Sequence, residues 1–246
     1  MSIKAVLFDF NGIIIKDEEI HQQLIDELLL EENLQPSRPG EYQRYCLGRN
    51  DYSAIKNILE ARGRFVQNEY LDKLVKKKGK LYLQILSTME TIPIFEGVRE
   101  FIQSLQTRNL PLAIVSGALR QDIEYVLEKT NLKQHFPVVV AGDEIKASKP
   151  SPEAYLLALT KLNQISPLLD IKPQHCLVIE DTLVGIASGK NAGMTVVAVA
   201  NTYPLHILQR HANWCVDRLS QIDLDWINQV LAKKTTESAI MEQQME

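Results

Sequence analysis

A chain of 246 residues with 45% hydrophobic and 24% charged side chains has ordinary globular composition, so disorder is not expected over most of it. Its formal charge of −4 offers no general attraction to nucleic acid or anionic lipid, so any phosphate site must be a local arrangement of donors and cations. Its apolar runs are far too short to span a bilayer, and the opening residues, with Lys4 and then Asp9 inside the apolar run, do not read as a secretion signal.

In chain order, the first expected strand is Ala5–Phe8. The region 16–92 then lacks a convincing strand and carries amphipathic stretches at 21–32, 51–62 and 70–89, punctuated by Pro36, Pro39 and Gly40. It reads as a helical insertion, with Pro93 marking the return to the sheet. Beyond it come four more apolar runs, Leu112–Val115, Val138–Val140, 177–179 and 196–199, separated by helical spacings such as Val98, Phe101, Ile102 and Leu105. Alternation of this kind predicts an α/β fold, a three-layer Rossmann-like parallel sheet core with an inserted α-helical cap domain. The expected division is residues 1–15 and 93–246 for the core and 16–92 for the cap. After Lys233 the tail is polar and is expected to fray.

Cys46, Cys176 and Cys215 are few, odd in number and widely spaced, which fits a reducing, cytoplasmic location with neither a disulfide framework nor zinc spacing. Cys176 is expected in the core. The run Lys76, Lys77, Lys78 and Lys80 reads as a solvated helix face rather than a binding patch. Trp214 and Trp226 read as core or edge packing.

In an open parallel sheet, ligands bind beyond the carboxyl ends of the strands, so the residues that follow each strand carry the information. These are Asp9-Phe10-Asn11-Gly12, Ser116-Gly117-Ala118, Lys149-Pro150-Ser151-Pro152 and Glu180-Asp181-Thr182. They supply a carboxylate able to act as a nucleophile, a hydroxyl with turn amides, a cation and an acidic pair. That set suits a phosphate beside a hard metal. Asp9 at the end of a buried strand needs a compensating partner, and Mg²⁺ shared with Asp181 and the main-chain carbonyl of Asn11 would provide one. Ser116 and Gly117 are candidates to hold phosphoryl oxygens, and Lys149 to neutralise the charge that Asp9 and phosphate bring together. Glu180 is placed behind the metal, orienting a ligand of it.

These loops, in this order, resemble the haloacid dehalogenase-like hydrolase superfamily. Residues 6–12 are similar to its first motif, 113–118 to its second, Lys149-Pro150 to its lysine motif and 178–182 to its acidic motif. A helical insertion directly after the first motif is similar to the branch that contains β-phosphoglucomutase and phosphoglycolate phosphatase. The resemblance implies an Mg²⁺-dependent phosphoric monoester hydrolase that works through an aspartyl-phosphate on a small phosphorylated metabolite. Such a chain would act as a monomer or weak dimer, with no nucleic-acid or membrane partner. In the cap, Glu18, His21 and Arg49 are candidates to face the substrate, although Arg49 also reads as a surface residue and His21 as hinge packing. Dehalogenation fits poorly, because the metal-binding pattern at Asp181 belongs to the phosphatases.

Two positions depart from the resemblance. Lys16 stands where related caps often open with Asp. More consequential is Asn11, where the family's phosphatases have an Asp that protonates the leaving oxygen. A carboxamide cannot exchange a proton at neutral pH, and general acid–base catalysis is typically worth about 10² to 10⁴-fold. Three readings stay open: a phosphatase weakened to substrates with good leaving groups, a catalytically impaired phospholigand- or partner-binding pseudoenzyme, or an Asn introduced to trap a complex.

Overall fold

The computed structural model describes residues 2–243, with residues 234–243 as helical backbone only. The chain runs β1 (Ala5–Phe8), α1 (Glu18–Glu31), α2 (Glu41–Tyr45), α3 (Asp51–Ala61), α4 (Asn68–Thr88) and α5 (Val98–Gln106). There follow β2 (Leu112–Val115), α6 (Arg120–Lys129), β3 (Val138–Val140), α7 (Glu153–Ile165), β4 (Cys176–Glu180) and α8 (Leu183–Asn191). The last elements are β5 (Thr195–Val199), α9 (Leu205–Leu208), β6 (Trp214–Val216) and α10 (Leu224–Gln243).

The six strands form one parallel sheet in the order β3-β2-β1-β4-β5-β6. Its central strands are buried on both faces, which is why they read as unbroken apolar runs instead of alternating ones. One face packs Val6, Phe8 and Ile114 against α5, α6 and α10, and the other packs Leu7, Val115 and Val178 against α7 and α8. The chain builds outward from β1 in one direction and then crosses to β4 to build in the other. The crevice at the β1–β4 junction is therefore the place where a ligand fits. Phe8 pairs with Ile179 and with Ile114, so Asp9, Glu180 and Ser116 emerge together at that point.

The four helices of the insertion bury their own cluster, including Ile25, Leu29, Ile55, Leu59 and Leu71. The insertion leaves and rejoins the sheet at adjacent residues. Ile15 bridges Ile94, the Lys16 amide donates to the Pro93 carbonyl (2.8 Å) and the Phe95 amide to Ile14 (3.0 Å).

The α/β core with its helical cap matches the expectation from sequence, with four corrections. A sixth strand, β6, was not expected; it is a three-residue, half-buried edge strand of Trp-Cys-Val, which lacks the Val, Ile and Leu run that marks the other strands. The short helix α2 was also missed. The tail after Lys233, where fraying was expected, carries helical backbone to Gln243; residues 244–246 lie outside the described part. Finally, the lysine run is not uniformly solvated. Lys76, Lys77 and Lys80 are exposed, but Lys78 falls on the buried stripe of α4 with Leu71, Leu74, Val75 and Tyr82. Cys176 is buried, as expected, and Trp214 meets Trp226 edge-on (ring centroids 5.6 Å) where α10 packs beside β6.

Candidate active site

Asp9 follows β1, and its amide continues the ladder to the Ile179 carbonyl (2.9 Å). Its side chain is 4% exposed. Oδ1 accepts from the Phe10 amide (2.8 Å) and pairs with Lys149 Nζ (2.9 Å). The turn that follows needs a glycine twice over. Gly12 has φ of +80°, and a Cβ there would lie 2.0 Å from Asp181 Oδ2.

Glu180, the last residue of β4, is fully engaged. Oε1 takes Lys149 Nζ (2.6 Å) and the Tyr155 hydroxyl (2.9 Å). Oε2 accepts the amides of Asp181 (3.1 Å) and Thr182 (3.2 Å) and the Thr182 hydroxyl (3.1 Å). Thr182 in turn caps α8 by accepting from the Gly185 amide (3.2 Å). Asp181 differs: Oδ2 accepts from the Thr202 hydroxyl, while Oδ1 is buried without a partner among the described residues.

Asp9, Glu180 and Asp181 bring oxygens within 4.8 Å of one another, all buried. Burial raises the Asp9 carboxyl to about 7, reinforced by the charge of Glu180 and opposed by Lys149. Burial likewise lifts Asp181 well above the carboxylate range, with Glu180 and Asp9 adding to it and Thr202 opposing. Burial alone would depress Lys149, but Asp9 and Glu180 outweigh it and hold the ammonium charged. Ionising all three carboxyls around Lys149 would leave an excess of negative charge, which is why burial and mutual repulsion raise Asp9 and Asp181 and why a hard, oxygen-seeking cation suits the cluster.

On the neighbouring strand, the Ser116 amide bonds the Val140 carbonyl (3.0 Å). Its hydroxyl accepts from the Ala118 amide (3.0 Å) and donates to Asn11 Oδ1 (3.2 Å). Gly117 lies under the cap, where a Cβ would fall 2.6 Å from the Arg49 carbonyl oxygen. Lys149 precedes a cis proline and also reaches the Val115 carbonyl (3.3 Å).

Cap residues close over this floor. Asn11 Nδ2 donates to Asp17 Oδ2 (2.9 Å) and lies 3.1 Å from His21 Nε2. His21 stacks on Tyr82 (ring centroids 4.7 Å) and meets Lys78 Nζ through Nδ1 (2.8 Å); Lys78 pairs with Asp51 (2.7 Å). Burial and Lys78 act to lower the His21 imidazole, but Asp17 and Asp51 outweigh them and raise it. Glu18 accepts from the Tyr42 hydroxyl, and burial raises its carboxyl. Arg49 Nη1 stands 3.4 Å from the Lys149 carbonyl oxygen, and its Nε is buried without a partner. The Asn50 amide donates to Ser148 Oγ (2.9 Å), tying the cap loop to the core. A cavity of about 40 Å³ remains, lined by Asp9, Asn11, Glu18, His21, Arg49, Asp51 and Lys78 among others.

The structure therefore brings every residue expected at the site to one crevice: Asp9, Asn11, Ser116, Gly117, Lys149, Glu180 and Asp181 on the core, and Glu18, His21 and Arg49 on the cap. Lys16 is exposed at the linker. Sequence reasoning missed Asp17, Asp51, Lys78 and Tyr82 from the cap, and Tyr155 and Thr202 from the core. Lys78 left a signal, a cation on the apolar stripe of an otherwise amphipathic helix. The others left none.

Residues 6–199 match the family model described as haloacid dehalogenase-like hydrolase. Protein CbbY of Rhodobacter capsulatus is 27% identical over 233 residues, covering 89% of this chain and 95% of that protein. A phosphorylated carbohydrates phosphatase of Thermotoga maritima is 25% identical over 193 residues, covering 78% and 82%. Among solved structures, β-phosphoglucomutase from Clostridium difficile shares the fold with a TM-score of 0.82 over 95% of this chain and 99% of that one, at 21% identity. No described helix is long and apolar enough to cross a membrane. The chain belongs to the haloacid dehalogenase-like hydrolase family.

Proposed function

We propose that this protein is an Mg²⁺-dependent phosphatase for a small phosphorylated metabolite, with Asp9 as nucleophile and a leaving-group range restricted by Asn11. The observation that carries this reading is the buried array of Asp9, Glu180 and Asp181 against the single cation Lys149, with one Asp181 oxygen left unpartnered. The donor set fits Mg²⁺, which takes oxygen ligands: Asp9, Asp181 and the Asn11 carbonyl would hold it. Once bound, the ion supplies positive charge against the phosphoryl oxygens. Glu180 has both oxygens occupied and serves as the support that fixes Lys149 and the start of α8.

In the reaction, an Asp9 carboxylate oxygen attacks phosphorus. The new O–P bond forms as the bond to the leaving oxygen breaks, and that oxygen departs with the electron pair. Water then cleaves the aspartyl-phosphate and restores Asp9. Lys149 holds Asp9 in place and offsets its charge, and the Ser116 hydroxyl and Gly117 amide hold phosphoryl oxygens. Asn11 can donate a hydrogen bond but no proton, so the carboxylates of acyl phosphates and the phenolates of acidic phenols are the favoured leaving groups. Arg49, with its unpartnered Nε at the cavity, is placed to meet a second anionic group, and Glu18 and His21 to face the rest of the substrate.

The remaining cavity of about 40 Å³ accommodates a few waters, at roughly 10–15 Å³ each, and not a metabolite. Residues 16–92 therefore act as a cap that opens against 1–15 and 93–246 about the Ile15–Ile94 bridge, and closes to exclude water. The molecule works as a monomer or weak dimer in a reducing, cytoplasmic setting, with its three cysteines free.

The test measures Mg²⁺-dependent phosphate release from p-nitrophenyl phosphate, acetyl phosphate and sugar phosphates. Turnover of the first two that Asp9→Ala abolishes is the expected result. One observation favours a second reading: Asn11 puts no carboxylate in the cavity. Absence of turnover with any of these compounds, together with saturable binding of one of them, would establish a phospholigand-binding pseudoenzyme instead.

A further inference from the structure

We infer that Asp17 is a positioning residue of the reaction centre, matched to the carboxamide at position 11; this rests on the phosphatase reading above. Three groups converge on one oxygen, Asp17 Oδ2: the Tyr82 hydroxyl at 2.5 Å, Asn11 Nδ2 at 2.9 Å and His21 Nε2 at 3.2 Å. Asp17 is 1% exposed, and its other oxygen is buried without a partner among the described residues. It stands just after the Ile15 bridge, Tyr82 belongs to α4 and His21 to α1. A single carboxylate thus ties two cap helices to the loop that carries Asp9.

The orientation of Asn11 follows from this. An ionised carboxylate only accepts, so the group facing Asp17 must donate. Nδ2 therefore turns toward Asp17, and Oδ1 is left to accept from the Ser116 hydroxyl at 3.2 Å. A carboxylate at position 11 would instead confront Asp17 across about the same 2.9 Å, in a buried setting where like charges repel strongly. The two positions share one carboxylate and one carboxamide. The carboxamide lines the cavity that holds Asp9, and the carboxylate stands behind it. Position 11 is thus an amide because position 17 is an acid. Exchanging the two residues keeps a donor facing an acceptor and moves the acid to the cavity side.

The experiment compares the full chain with Asn11→Asp, Asp17→Asn and the exchange Asn11→Asp/Asp17→Asn, by thermal melting and by kcat/KM with Mg²⁺. The substrates are p-nitrophenyl phosphate, phenyl phosphate and an alkyl sugar phosphate, in rising order of leaving-group pKa. Asn11→Asp alone is expected to melt below the parent and to gain less than tenfold on the alkyl ester. The exchange is expected to recover the melting temperature and to gain at least a further tenfold on the alkyl ester, with a gain that falls away toward p-nitrophenyl phosphate, since a general acid is worth roughly 10² to 10⁴-fold where the leaving group needs a proton. That dependence on the leaving group is something a merely structural role would not produce. Equal rates within twofold for Asn11→Asp and the exchange, with equal melting, would overturn the match. Should the exchange fail to fold, Asn11→Asp/Asp17→Ser removes the second carboxylate and carries the same comparison. If no variant turns over any substrate, the phosphatase reading fails, and the melting cycle over the four proteins still decides whether the two positions are coupled.

Discussion

Asp122 lies in the first turn of α6 at the seam between core and cap, 1% exposed, with neither carboxylate oxygen hydrogen-bonded among the described residues. The backbone of α4 approaches it at Gly79, where a Cβ would lie 3.9 Å from Oδ1. Burial, then the charge of Asp51, raises its carboxyl from 3.8 to about 7, against the opposing charges of Lys78 and His21. The folded state therefore keeps a proton that the unfolded chain releases. Stability contributed by this group is complete below about 3.8 and is lost as the pH rises through about 7. Asp122→Asn is expected to melt like the parent near pH 4 and to be more stable above pH 7, on the order of a few kcal/mol. Urea melts at both pH values check this, and equal midpoints at high pH would count against it. At this same scale the reactive floor was legible in the sequence, because Asp9, Ser116 and Asp181 each follow an apolar run that ends at the sheet's carboxyl edge. The partners of Asn11 were not, since Asp17 and Tyr82 meet it only through closure of the cap.

Helix α4 shows how a single element serves both packing and the site. Its buried stripe of Leu71, Leu74, Val75, Tyr82 and Leu86 is interrupted at the same spacing by Lys78, which is 3% exposed and held by Asp51 and His21. Removing one partner of a buried pair leaves the other charge uncompensated and costs roughly 3–5 kcal/mol. Lys78→Met is expected to destabilise by about that amount, whereas exposed Lys80→Met should stay within about 0.5 kcal/mol. Denaturant midpoints of the two variants decide it; similar losses would mean that Lys78 has no special part. A cluster of four lysines reads as a solvated face by composition, and only the helical period separates the one that points inward. The strands show the converse limit. Buried central strands announce themselves as Val, Ile and Leu runs, while β6, three half-buried residues at the sheet edge, depends on pairing with β5 for its existence.

For the whole molecule, the excess negative charge at the β1–β4 crevice makes stability depend on the ion that the site is proposed to hold. A ligand present at a hundred times its Kd and bound only by the folded state adds about 2.7 kcal/mol. Mg²⁺ is expected to raise the melting temperature of the parent and not of Asp181→Asn, as scanning fluorimetry with and without chelator would reveal. An equal rise in both would show that the ion binds elsewhere. The α/β alternation made the layered architecture readable in advance, whereas the cap face over the crevice, drawn from separate helices of the insertion, was readable only at Glu18, His21 and Arg49. The bridge between Ile15 and Ile94 bears on the history of such a molecule as well as on its motion. Because the inserted segment begins and ends at neighbouring residues, its removal would leave a gap that a short turn can close without disturbing the strand order. The helices above the crevice are thus exchangeable as one piece. Such an exchange would change the cap residues over the crevice while leaving the parallel sheet and the residues at its carboxyl edge in place.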